Sequence, residues 1–185
     1  MPPHQVTFAS TNRNKYLEAQ ATLASFGIMV DFARINLVEL QSDSLEQIAK
    51  DKARSAFDLL KKPVIVEDDG LFIDALKGFP GQYSSFVFKT IGNTGILKLL
   101  NGSADRSASF KSIIAYTDGI KVSSAEGLVN GTISEIAFEG GWGYDPIFIP
   151  EGSRLTFAQL EQEKNEFSHR RKGLEKFSQW LLEQT

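Results

Sequence analysis

Apolar and polar positions along this chain recur with two periods, and the switches between them mark its elements. Val6-Thr7-Phe8-Ala9 reads as a short strand, and the polar stretch Ser10-Thr11-Asn12-Arg13-Asn14-Lys15 then opens a helix, since Ser, Thr and Asn are favoured N-caps. Leu17, Ala21 and Ala24 follow at helical spacing until Gly27 stops the helix. Asp31 to Leu37 alternates as a half-buried strand. Ser44-Leu45-Glu46-Gln47 reads as a capping box, and Leu45, Ile48, Ala49, Ala53, Ala56, Phe57 and Leu60 draw the apolar stripe of a second helix, which Pro63 separates from the next strand. Val64-Ile65-Val66 is β-branched throughout, as suits a strand covered on both faces. It runs into three carboxylates, Glu67, Asp68 and Asp69, before Gly70 lets the chain turn.

Beyond that point Leu71 to Leu76 is apolar, Gly78-Phe79-Pro80-Gly81 is a loop, and helical stretches begin at Tyr83 and close at Leu100. Ser107 to Phe138 returns to the β period. Asp118-Gly119 supplies a two-residue hairpin turn there, so this region is a long antiparallel hairpin or meander. Glu139 to Pro146 is a glycine-rich loop, Ile147-Phe148-Ile149 a strand, and Leu174, Phe177 and Leu181 mark one face of a last helix. The expectation is a single domain over residues 1–185 in two lobes. Residues 1–105 with 140–185 form the main lobe and 106–139 a β-rich extension.

Composition narrows the function classes. Hydrophobic residues at 42% and charged residues at 23% are ordinary for a globular protein. A net charge of -3 and a pI near 5.5 argue against a nucleic-acid surface, so an anionic ligand must be met by local cations. Without cysteine there is neither a disulfide framework nor a thiolate metal site, which suits an intracellular protein. Met1-Pro2-Pro3-His4-Gln5 has no basic region leading into an apolar core, and no apolar run is long enough to span a bilayer. The chain is expected to be soluble and cytoplasmic, with no membrane partner.

Crowded carboxylates repel unless a cation or a shared proton relieves them, and magnesium, a hard ion that joins carboxylates to substrate phosphates, suits the acids at Asp68. A solvated acidic turn is the plainer alternative. A strand feeding a helix through Ser10 to Lys15 is an anion site or simply a capped helix. Lys52 lies on the apolar stripe, so its stem snorkels outward or its ammonium meets an anion. Trp142 and Tyr144 among glycines suit stacking on a flat ring, or cover the core edge. The basic run Lys164 to Lys172 opposes the dipole of the helix it leads into, and so asks for an anion or for acceptors.

These segments, in this order, resemble the inosine triphosphate pyrophosphatase family. The matching pieces are Ser10 to Lys15, Glu67-Asp68-Asp69-Gly70-Leu71, Gly78 to Ser84, Gly141 to Pro146 and Lys164 to Arg170, which together span nearly the whole chain. The resemblance implies an α/β fold with a long mixed twisted sheet flanked by helices, two lobes around a deep cleft, and a homodimer. It implies hydrolysis of ITP, dITP and XTP to the monophosphate and pyrophosphate with Mg2+, for which Mn2+ can substitute. By the same resemblance Ser10, Thr11, Asn12, Arg13, Asn14, Lys15 and Lys52 contact the triphosphate, and Glu39 and Asp68 bind the metal. Asp68 is also the proton acceptor. Asp69, Trp142, Gly143, Tyr144, Asp145, Lys164, His169 and Arg170 contact substrate. Ser85 stands where some members carry a basic residue, and Asp69 where others carry Ser or Thr. The rival readings are a Maf-like pyrophosphatase of other base specificity and a non-catalytic nucleotide-binding module.

Overall fold

A computed structural model describes residues 5–184, with only the backbone of Phe167. Met1 to His4, part of the stretch in which no leader is read, lie outside the described residues. In chain order the elements are β1 (Gln5–Ala9), α1 (Arg13–Ala24), β2 (Met29–Ala33), α2 (Leu45–Leu60), β3 (Val64–Ile73), β4 (Pro80–Gly81), α3 (Ser84–Thr90), α4 (Gly92–Leu99), β5 (Ser107–Thr117), β6 (Val122–Ile133), β7 (Phe148–Pro150), α5 (Phe157–Leu160), α6 (Lys164–Phe167) and α7 (His169–Glu183). The strands form one 7-stranded mixed sheet in the order β2-β1-β3-β5-β6-β7, with β4 paired to β3. No helix of the described residues is long and apolar enough to cross a membrane.

The chain divides into two compact units. Unit 1 comprises Met1–Asp68, Ser112–Gly127 and Arg170–Thr185, and unit 2 comprises Asp69–Lys111 and Leu128–His169. In unit 1, β1 runs parallel to both β2 and β3, pairing Phe8 with Phe32 and with Ile65. Parallel neighbours need crossover connections, which α1 and α2 supply. Val6, Thr7, Phe8 and Ala9 are all buried, as expected of a strand covered on both faces. The unit 1 core gathers Phe8, Leu23, Ile65, Ile114, Leu174 and Phe177. Unit 2 has its own core around Leu71, Ile73, Ile96, Phe110, Phe148 and Phe157.

Three local expectations are corrected. The buried face of α1 is Ala19, Thr22 and Leu23, whereas Leu17, Ala21 and Ala24 face solvent. Small and apolar residues lie on both faces of this helix, so spacing alone did not say which face packs. The acids do not end β3: the strand continues through Glu67, Asp68, Asp69 and Gly70 to Ile73. Gly70 is a close approach rather than a turn, since a Cβ there would lie 2.5 Å from the Gly81 carbonyl oxygen across the β3–β4 pairing. At α2 the capping box is half made. Ser44 accepts from the Gln47 amide, but the Gln47 side chain accepts from Ser42 Oγ, which also accepts from the Ser44 amide.

Candidate active site

In unit 1 the turn between β1 and α1 is self-organised. Asn12 caps the helix, its Oδ1 accepting from the amides of Asn14 at 2.9 Å and Lys15 at 3.4 Å, while Ser10 Oγ accepts from the Asn12 amide at 3.0 Å. Thr11, Arg13 and Asn14 are exposed around this helix N-terminus. Lys52, on α2, places its Nζ 2.6 Å from Glu39 Oε1 and 2.6 Å from Asp68 Oδ1. One ammonium thus holds together two carboxylates, from the loop before α2 and from β3.

Burial pushes the Asp68 carboxyl above its usual pKa and Glu39 adds to the shift, while Lys52 and Lys15 pull it back. Asp68 Oδ2 is buried with no hydrogen-bond partner among the described residues. An unpartnered buried carboxylate oxygen is costly and wants a cation. With Glu39 beside it on the same ammonium, the donor set is one that a hard divalent ion accepts. Glu39 and Asp68 therefore fit the magnesium expected of them.

Glu67, the preceding residue of β3, points to the other side of the strand. Its enclosed carboxylate accepts from Ser112 Oγ at 2.7 Å and Arg170 Nε at 2.7 Å, and faces Lys15 Nζ at 3.9 Å. Arg170 also donates to Glu18. The guanidinium has five N–H donors and no acceptor, so its partners here are acids.

Unit 2 builds a second cluster on the glycine-rich loop. Asp145 is buried, and its Oδ2 accepts from the Trp142 amide at 3.1 Å and from Lys164 Nζ at 2.8 Å. Lys164 Nζ also stands over the Trp142 ring, 4.9 Å from its centroid, a cation–π contact. Gly141, at φ +64°, must lack a side chain: a Cβ would lie 2.6 Å from Asp145 Cβ. Two bonds pin the loop from α3 and α4, Tyr144 Oη to the Ser84 carbonyl at 2.9 Å and Asn93 Nδ2 to the Gly143 carbonyl at 3.1 Å. Tyr144 is buried, and burial drives its phenol pKa far up. His169 stacks on Phe110 at 4.5 Å, with Nε2 3.7 Å from Asp69 Oδ2.

Of the residues expected at a site, unit 1 thus joins Glu39, Lys52 and Asp68, and links Lys15 with Arg170 through Glu67. Unit 2 joins Trp142, Asp145 and Lys164, and His169 with Asp69. Residue reading missed Glu18, Asn93 and Ser112. Glu67, the first acid after the apolar run Val64 to Val66 of β3, was the available signal for the network it anchors; Glu18 and Asn93 gave none.

The Ham1 family model matches residues 6–180. A dITP/XTP pyrophosphatase of Methanopyrus kandleri is 52% identical, covering 95% of this chain and 95% of its own length. One of Hyperthermus butylicus is 48% identical over 98% of this chain and 96% of its own. Among solved structures, a HAM1 protein from Coxiella burnetii superposes with a TM-score of 0.85 at 31% identity, covering 97% of this chain and 99% of that one. With the family model spanning nearly every element that carries these clusters, the chain belongs to the Ham1 family.

Proposed function

We propose that this chain hydrolyses the non-standard purine nucleoside triphosphates ITP, dITP and XTP to the monophosphate and pyrophosphate, clearing them from the cytoplasmic nucleotide pool. The observation that carries the reading is Lys52 at 2.6 Å from both Glu39 and Asp68, in a chain so similar to relatives named for that reaction. Ser10 to Lys15 hold phosphate oxygens through the positive end of α1, around which Thr11, Arg13 and Asn14 are exposed, and through the Lys15 ammonium. A water oxygen bonds to the α-phosphorus, the α–β anhydride bond breaks, and its electron pair leaves with pyrophosphate. Asp68 takes the water's proton. Lys15 and Lys52 neutralise charge on the departing group. Glu39 and Asp68 would hold Mg2+, or Mn2+ in its place, which when bound supplies Lewis-acid stabilisation of the phosphate oxygens.

The proposed nucleoside contacts are Trp142 to Asp145, Lys164, His169 and Asp69. Arg170 offers donors and no acceptor, which matches a 6-oxo group and not the 6-amino group of adenine. A homodimer is part of the proposal, supported by exposed apolar side chains at Phe79, Phe86, Phe88 and Ile91 of unit 2. Pyrophosphate release from ITP, dITP, XTP, GTP and ATP, with Mg2+ and with EDTA, tests the reading. The first three are expected to be cleaved well above ATP and only with metal. Equal cleavage of ATP, or none of ITP, would overturn it.

A further inference from the structure

Glu67 is the most deeply enclosed acid of unit 1, its side chain 0% exposed. An apolar residue of like volume would fill this strand position as well, and a buried carboxylate is costly unless its oxygens are matched. Here they are matched by groups from three other elements. Ser112 of β5 and Arg170 of α7 bond to it at 2.7 Å each, and Lys15 of α1 faces it at 3.9 Å. At 3.9 Å the contact is an ion pair longer than a hydrogen bond, so Glu67 draws the Lys15 ammonium by charge. Two successive residues of β3 thus each restrain a lysine: Glu67 draws Lys15 and Asp68 holds Lys52.

We infer that Glu67 is a positioning residue for triphosphate hydrolysis, its carboxylate, anchored by Ser112 and Arg170, setting the Lys15 ammonium where the phosphates arrive. The inference rests on the function proposed above. Glu67→Gln keeps the shape and one oxygen to accept from Arg170, leaves an NH2 group that the Ser112 hydroxyl can turn to accept from, and removes the charge that draws Lys15. It is measured with Lys15→Met and the double variant as full-length chains, reading kcat and KM for ITP with Mg2+ and the thermal midpoint of each. Glu67→Gln is expected to lower kcat/KM at least tenfold in the parent chain and less than threefold in the Lys15→Met chain. Glu67→Asp should restore part of the loss. Should Glu67→Gln not fold, Ser112→Ala takes its place, with a severalfold loss in the parent chain and none beside Lys15→Met. Losses that multiply in the double variant, or parental kcat/KM in Glu67→Gln, would overturn the inference while leaving the function standing. No pyrophosphate release by the parent chain would overturn the function and the inference together.

Discussion

Replacing Lys52 by Met removes the ammonium shared by Glu39 and Asp68 and leaves an apolar stem of similar length. At 2.6 Å each ion pair is worth about 6 kcal/mol before solvation at an effective dielectric near 20. The two pairs do not count alike. The Glu39 side chain is 67% exposed, so its share falls to about 0–1 kcal/mol. The Asp68 side chain is 14% exposed, and stripping one partner from such a pair costs about 3–5 kcal/mol, part of which the carboxyl recovers by taking up a proton. On the proposed function, a divalent ion entering between these carboxylates would displace Lys52, so the parent chain would bind it against a competitor. With about 1.5–3 kcal/mol of that competition left at pH 8.5, where the proton is scarce, Lys52→Met should bind Mn2+ about ten- to a hundredfold more tightly. Calorimetric titration of the nucleotide-free chain with MnCl2 reads this directly, and turnover of ITP should fall because the same ammonium is lost to the phosphates. Equal or weaker Mn2+ binding by the variant would refute the placing of Lys52 and the metal on one pair of carboxylates.

The same geometry sets further outcomes. Asp68→Asn should abolish turnover and yet stabilise the fold in EDTA at pH 8. Because the folded pKa of Asp68 is raised above 3.8, its contribution to stability is complete below that pH and is lost as pH rises through the folded value. Denaturant midpoints across pH should show the variant's advantage shrinking toward pH 4; a more stable parent chain at pH 8 would contradict this. Gly70→Ala should cost about 1–3 kcal/mol in urea unfolding, since its Cβ would stand 2.5 Å from the backbone oxygen of Gly81. An unchanged midpoint would mean that β4 moves aside freely. Lys164→Met should leave Asp145 buried without its cation, raising KM for ITP far more than it lowers kcat; the reverse split would remove Lys164 from the nucleoside contacts.

Elements and acids were legible wherever local chemistry set them. The β-branched run Val64 to Val66 announced β3, and a lysine on the apolar stripe of α2 announced an ammonium that either snorkels or meets an anion, without saying that Asp68 is one of its partners. The stripe could not say that Lys52 meets two carboxylates, because Glu39 sits on an irregular loop with no period to read. Nor could it show β3 running on past its acids. That continuation depends on the pairing of Leu71 with Gly81, which only the folded chain makes. Glu67 bonds to a residue 103 positions away, and no local signal carries such a partnership. The face of α1 failed for the opposite reason, too many small residues for the periodicity to choose among.

Phosphorus NMR of ITP incubated with the full chain and Mg2+ tests the central claim most directly, because it separates cleavage at the α–β bond from every other outcome. IMP and pyrophosphate appearing in equal amounts, with no signal change in EDTA, is the predicted result. IDP with orthophosphate, or ITP left intact, would contradict it.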